Sequence, residues 1–358
     1  MRAGSVLPRD LGNGMEQWAS KGDGPKIVAI GGGTGTSTIL EGLKAHTPNL
    51  TAIVTMFDSG GSTGLLRREY GLPPFGDLRR CLLALGEVSE ETASIRAALE
   101  YRFAGSSSLN GHSVGNLFMA ALTSLSDDLE QCVEQLSRIL RVRGNVLPVT
   151  LGHADLCAEL ADGRILHGEA DIDQRAAPLP RIERVFLDGQ VQANPRALHA
   201  IRDADAIVIG PGDLYTSILP VFLVDGMAEA LAASPATRIF VCNLMTKRGE
   251  TDGFRASDFV REFERYAGGA RLDWAIVNTA IPRESIQAAY DEEGATVVEP
   301  DIERVGWSVN GVFSTSLATR DLPVRHDPGA LAEAVIRIVR TGRVQRHRSS
   351  PTARVATG

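Results

Sequence analysis

The sequence predicts an α/β fold: a doubly wound, Rossmann-like parallel sheet with a helical and small β insertion. Five short runs rich in β-branched residues each end at a glycine or polar corner, they are apolar throughout rather than alternating, and helical patterns lie between most of them. Continuous apolar runs of this length suit strands buried on both faces, the condition of a parallel sheet. Strands alternating with helices then give right-handed crossovers in a doubly wound sheet.

The first run is KIVAIGGG, Lys26 to Gly33, and the amphipathic STILEGLKAH follows it. The second is LTAIVTMFDSGG, Leu50 to Gly61. The third, DADAIVIGPGD from Asp203 to Asp213, leads into SILPVFLVDGMAEALAA. The fourth, TRIFVCNLMT from Thr237 to Thr246, precedes the helical SDFVREFERYAGG, and the fifth is LDWAIVNTAIP, Leu272 to Pro282. In such sheets the ligand crevice lies outside the carboxyl ends of the strands. Those ends carry Gly31 to Gly35, Asp58 to Gly64, Gly210 to Tyr215, Asn243 to Thr251, and Asn278.

Between the second and third runs lies an insertion, about Gly76 to Asn194. Its first part, to Leu140, reads as amphipathic helices; its second, from Gly144, reads as short strands with hairpin-type Asp-Gly turns at 162–163 and 188–189. The expected organisation is one domain over residues 26–342, with a loose N-terminal extension at 1–25 and a disordered basic tail at 343–358.

With 43% hydrophobic and 23% charged residues, the chain has the composition of a soluble globular protein. A net charge of -7 gives no global attraction to nucleic acid or anionic membrane, and 5% aromatic content argues against base-stacking platforms. The four cysteines are scattered, which fits free thiols in a reducing cytoplasm, and no apolar run is long enough to span a membrane. A cytoplasmic homo-oligomer is expected.

Glycines in the knot Gly31-Gly32-Gly33-Thr34-Gly35 permit a tight strand-to-helix turn and let a phosphate approach backbone N–H groups where no Cβ intervenes. The P-loop lysine is absent, and neither GxGxxG frame ends in glycine or alanine. Val in place of Gly33 is expected to abolish phosphate binding with the fold retained. A second knot, FDSGGSTG, repeats the chemistry, with Asp58 where a ribose-binding acid stands in dinucleotide enzymes. In RREYGLPPFGDLRR, Asp77 reads either as a helix cap or as a metal or sugar-hydroxyl contact. The formal GxSxG at 111–115 follows no strand, so Ser113 reads as a helix N-cap rather than a hydrolase nucleophile, with His112 and Asn116 free to face the crevice. Gly212 belongs to another anion nest in GPGDLYTSILP; Asn243 and Thr246, in NLMTKRGETDGF, suit reading a base or sugar. No metal-site spacing occurs, and Mg2+ enters only with a bound nucleotide.

AIGGGTGTS, DSGGSTG, LPPFGDLRR, GHSVGNL, GPGDLYTSILP, NLMTKRGETDGF and VRHDP occur in an order that resembles the YvcK, or gluconeogenesis factor, family, which is related to CofD, a 2-phospho-L-lactate transferase. The resemblance covers about residues 26–340. It implies a Rossmann-like core binding a UDP-sugar, UDP-N-acetylglucosamine above all, and a regulatory role in cell-wall precursor supply and cell shape during gluconeogenic growth, acting on partner enzymes of amino-sugar metabolism with no assigned catalytic residue. By position it implies Gly32, Gly33, Thr34, Asp58, Ser59, Asn116, Asn243 and Arg325 as binding residues. Ser59 replaces an acid of the family pattern, Phe75 a proline, and Pro328 a hydroxyl residue, so phosphorylation at 328 is not open to this chain. The alternative is a phospholactate-type transferase with a nucleotide-activated donor and a deazaflavin acceptor, with Asp58 and Asp77 holding Mg2+.

Overall fold

The computed structural model describes residues 5–6, 24–106, 108–126, 128–174, 180–281, 283–319 and 322–349. In chain order these residues form β1 (Ser5–Val6), β2 (Ile27–Gly31), α1 (Gly33–Leu43), β3 (Leu50–Val54), α2 (Gly61–Tyr70), α3 (Gly76–Leu85), α4 (Glu90–Glu100), α5 (Val114–Ser126), α6 (Leu129–Ile139) and β4 (Asn145–Pro148). The small sheet follows with β5 (Asp155–Leu160), β6 (Ile165–His167), α7 (Glu169–Asp173) and β7 (Ile182–Asp188). The second half adds α8 (Pro195–Asp203), β8 (Ala206–Ile209), a π-helical turn (Leu214–Ile218), α9 (Leu219–Phe222), α10 (Met227–Ala233), β9 (Thr237–Val241), α11 (Ala256–Tyr266), β10 (Trp274–Asn278), α12 (Glu284–Glu293), α13 (Ile302–Ser308), β11 (Gly311–Thr315) and α14 (Pro328–Ser349).

The main sheet runs β1-β11-β10-β9-β8-β2-β3-β4, with every pair parallel. Its central strands are buried at every position, as the apolar runs required: Ile27–Gly31 and Ala206–Ile209 show no exposed residue. Chain order reverses between β2 and β8. That is the topological switch point of a doubly wound sheet, where the crevice of such folds opens.

Several details differ from expectation. Asn145–Pro148, assigned to the insertion's strands, is instead the edge strand of the main sheet, pairing Thr51 with Asn145 through Val54 with Pro148. Four residues are too few to carry a periodicity that tells one sheet from another. The separate antiparallel sheet is β6-β5-β7. Gly163 makes its expected hairpin turn at φ 84°, whereas Gly189 at φ 127° ends β7 without starting a hairpin.

SILPVFLVDGMAEALAA breaks into a π-helical turn and two helices, because Pro220 cannot continue the ladder and Gly226 takes φ 93°. At the C-terminus α14 runs to Ser349, into the stretch expected to be a disordered tail. Residues 343, 346 and 348 are all arginine and fall within this helix, and the next proline is Pro351. Residues 350–358 lie outside the described residues, as does most of the N-terminal extension, of which Ser5–Val6 forms a strand beside β11.

Helix α1 packs on α3 and α14 through Ile39, Leu40 and Leu43, all fully buried. The approach to α14 is close: a Cβ on Gly42 would lie 2.0 Å from the Pro328 carbonyl oxygen. Gly42→Ala is therefore expected to lower unfolding stability by about 1–3 kcal/mol, the range for overpacking. A urea denaturation midpoint equal to that of the parent would contradict this packing.

Candidate functional site

At the switch point the loops after β2 and β8 face each other across a crevice with two compartments. The outer cavity, about 620 Å3, is lined by Thr34, Gly35, Gly212, Asn243, Thr246, Lys247, Tyr290, Arg325 and His326 among others. The inner one, about 360 Å3, is lined by Gly32, Gly33, Asp58, Gly61, Ser62, Asp77, Arg79, Arg102, Asn116 and Glu169 among others. Thr34, Gly35, Asp173, Gln174, Gly212 and Asp213 belong to both walls.

First turns of four helices converge on the inner compartment: α1 at Gly33, α2 at Gly61, α3 at Gly76 and α5 at Asn116. The cap residues of the first three, Gly32, Gly60 and Phe75, supply no side-chain acceptor. Uncapped N-terminal N–H groups favour negative charge in front of them. At α5 the cap is made: Asn116 N donates to Ser113 Oγ at 3.1 Å. Ser113 is fully buried and preceded by no strand, so it is the expected N-cap and no nucleophile.

The first knot is already occupied by a side chain. Asp77 accepts a hydrogen bond from the Gly33 backbone, and a Cβ on Gly32 would stand 2.6 Å from Asp77 Oδ2. These glycines therefore admit a carboxylate of the same chain. Gly33 sits at φ 55°, and a Cβ there would meet Arg80 Nη1 at 3.1 Å and Asp77 Oδ1 at 3.2 Å. Val at this position is strained in the fold itself, which corrects the expectation of a clean loss of binding with the fold retained.

Asp77 ion-pairs with Arg80 at 3.3 Å and lies in the first turn of α3 without capping it. Burial pushes its carboxyl up to about 6 against the pull of Arg80, and the Asp58 charge adds to the rise. Glu169, at the start of α7, is raised to about 7 by burial and then by Asp58. Asp213 is also raised, by burial and by Glu250 and Glu169, while its ion pair with Lys247 at 2.7 Å favours its charged form. Lys247 Nζ meets Glu250 at 3.1 Å and donates to Asp173, so one ammonium holds three carboxylates that would otherwise form a cation-binding group.

On the outer side, Asn243 Oδ1 is buried with no hydrogen-bond partner among the described residues. Tyr290 and His326 fix the loop that carries Arg325: the Tyr290 hydroxyl accepts from Val324 N at 2.8 Å, and His326 Nε2 lies 3.2 Å from the Cys242 carbonyl. Burial lowers the His326 imidazole to about 4, so it stands there neutral. Thr246 is buried against Thr296, Oγ1 to Oγ1 at 3.1 Å.

Gly31, Ser59 and His112 stand behind these walls. Gly31 packs on Thr36; Ser59 Oγ accepts from Ala170 N at 3.0 Å, tying the second knot to α7; and His112 Nδ1 is 2.9 Å from Ser62 Oγ. Glu169, Asp173, Gln174 and Tyr290 were not singled out from the sequence, where the only trace of the first two was an acidic run with no recognisable spacing. Among the arginines of RREYGLPPFGDLRR, Arg67 pairs with Asp155 of the small sheet at 2.7 Å, and Arg79 and Arg80 line the crevice.

The family model described as 2-phospho-L-lactate transferase CofD matches residues 27–317. The gluconeogenesis factor of Bacillus subtilis is 39% identical over 321 residues, covering 89% of this chain and 99% of that protein. This chain belongs to the gluconeogenesis factor family. A putative gluconeogenesis factor of Nostoc sp. is 42% identical, covering 88% of this chain and 68% of that protein. A crystal structure of another protein similar to this gluconeogenesis factor family chain, from Bacillus halodurans, has a TM-score of 0.82 at 38% identity and covers 88% of this chain and 100% of that one. No helix among the described residues is long and apolar enough to cross a membrane.

The raised carboxyls set a pH dependence for this member of the gluconeogenesis factor family. Glu169 titrates near 4.5 in the unfolded chain and about 7 in the fold, so between those values the fold binds more protons and its stability falls as pH rises. Glu169→Gln removes that proton linkage. Its urea midpoint relative to the parent is expected to climb from about pH 4.5 to pH 7 and then level off; an offset constant from pH 4 to pH 8 would refute the assignment.

Proposed function

We propose that the chain binds a UDP-sugar, UDP-N-acetylglucosamine above all, and acts as a cytoplasmic regulator of partner enzymes in amino-sugar and cell-wall precursor supply. The observation that carries this reading is the outer cavity at the switch point, which joins a glycine-lined end to an unpaired buried acceptor, Asn243 Oδ1. The imide N–H of uracil is a donor of the kind that acceptor lacks. Thr34, Gly35 and Gly212 offer close backbone approach for a diphosphate, and Arg325 lines the same cavity with a cation. The names of the relatives support a role in gluconeogenic growth.

A second reading, phospholactate-type transfer to a deazaflavin, is favoured by one observation: Asp58, Asp77 and Glu169 gather around the glycine knot. Carboxylate oxygens are the donors Mg2+ takes, and a dication there would hold these groups ionised. In that reading Asp58 and Asp77 hold the metal, and it offsets charge on a transferring phosphoryl group.

Thermal unfolding with UDP-N-acetylglucosamine, UDP-glucose, GTP and NAD separates the two. At about 100 times Kd a ligand adds about 2.7 kcal/mol, a rise of about 5–10 °C for a chain of this size. A rise with UDP-sugars is expected, and Asn243→Ala should weaken that binding about tenfold, the worth of one hydrogen bond. A rise with GTP and none with UDP-sugars would move the assignment to the transferase.

A further inference from the structure

The inner compartment holds a cation that the proposed nucleotide site does not use. Arg79 is 6% exposed, yet no carboxylate lies within ion-pair distance of it among the described residues. Its Nε donates to Asn116 Oδ1 at 3.1 Å and its Nη1 to the Leu99 carbonyl at 3.2 Å, both neutral acceptors. Nη2 has no such partner among the described residues, and the side chain lines the inner cavity. Asp77 and Glu100 act on it only from farther away.

The seat for this arginine is built from three helices. Arg79 comes from α3, Asn116 from α5, and the Leu99 carbonyl from α4. Gly115 is part of the seat, since a Cβ there would come within 2.3 Å of Arg79 Cδ and 2.6 Å of the Leu99 oxygen. Asn116 in turn donates from Nδ2 to Ser62 Oγ at 3.3 Å, which fixes the amide so that its oxygen faces the guanidinium. Burying an unpaired guanidinium is costly, and the surroundings make it worse: Arg80 and Arg102 add like charge, and Arg79 is driven down to about 10.

We propose that Arg79, with Arg102 and the α2 N-terminus at Gly61, forms an oxyanion subsite for a small phosphorylated or carboxylated metabolite, distinct from the UDP-sugar site and able to fill together with it. A guanidinium fork matches a phosphate or carboxylate in bidentate fashion, and the N–H groups of α2 face the same space without a side-chain cap. Arg79, Arg102 and Asn116 line only the inner compartment. The carboxylates of Asp58, Asp77, Glu169 and Asp213 line the same inner compartment, Asp58 Oδ1 accepting from Gly60 N at 2.9 Å beside α2, so an anion is favoured on the Arg79 and Arg102 side of that helix end. The inner volume, about 360 Å3, lies within the range of small-molecule sites. This subsite does not depend on the UDP-sugar reading.

The test is isothermal titration of the full chain with inorganic phosphate and with glycerol 3-phosphate, each with and without saturating UDP-N-acetylglucosamine. Both probes are expected to bind in either condition, and Arg79→Gln to weaken them at least about tenfold, as for loss of a charge-assisted pair, while leaving the UDP-sugar thermal shift in place. Arg102→Gln changes an exposed side chain that also donates to the Gly111 carbonyl, and is expected to weaken both probes by about threefold. Phosphate binding unchanged in both variants would overturn the subsite. So would competition between phosphate and UDP-N-acetylglucosamine, which would make the arginine end part of the nucleotide site. If UDP-sugars fail to bind and phosphate binding still depends on Arg79, the nucleotide reading falls and the subsite stands.

Discussion

The buried carboxylate of Asp77 is the contact on which the crevice depends. It takes the Gly33 N–H, leans on Arg80, and fills the space that Gly32 leaves by lacking a Cβ. One side chain from α3 is thereby docked against the first turn of α1, and both helix N-termini are aimed at the same volume. The helix ends favour negative charge there, while burial and the neighbouring Asp58 oppose it. The raised pKa of about 6 is the residue of that competition.

The small antiparallel sheet completes the other wall: Leu156, Ala158, Leu160 and Val185 bury its inner face in the same apolar core as the main sheet, and polar ties add to that seam. Ser59 accepts from Ala170 N, Arg67 pairs with Asp155, the Tyr266 hydroxyl accepts from Val185 N at 3.0 Å, and Lys247 reaches Asp173. Lys247 has a second task, since Asp213 and Glu250 also depend on its charge. Glu250 Oε2 remains buried with no partner among the described residues, so the ammonium satisfies that cluster incompletely. Anything that draws Lys247 away leaves three carboxylates facing one another and loosens the small sheet at the same moment.

How much of this was legible follows from what a linear sequence records. The central strands and the loops at their ends were readable because burial on both faces writes a continuous apolar run, and the crevice follows from the parallel topology. Most nominated residues, among them Thr34, Asp58, Asp77, Asn116, Gly212, Asn243 and Arg325, do line the crevice. Ser59 and His112 do not, because a motif gives a residue's place in the chain but not the side on which its side chain emerges. Glu169 and Asp173 were missed for a related reason: they reach the crevice through the docking of a separate sheet, with a sequence separation of 111 between Ser59 and Ala170. β4 was misplaced because four residues carry too little pattern to name a sheet. The helical end of α14 was missed because an acid-free, Ser- and Pro-containing charged stretch was taken for a solvated tail, although arginine and glutamine propagate a helix well.

The crevice therefore has unlike ends joined by titratable carboxyls, and this constrains whatever it binds. At the glycine knot an incoming anion meets Asp77, Glu169 and Asp213, whose charge opposes it. Two of these groups sit at about 6 and about 7, close enough to neutrality that an anion raises them further and draws protons into the fold. A dication arriving with the anion has the opposite effect and releases those protons. The arginine end needs neither device, because Arg79 is a charge already buried and lacking a counter-ion. Proton exchange is thus tied to the end of the crevice that an anion occupies, and the sign of that exchange records whether a metal came with it.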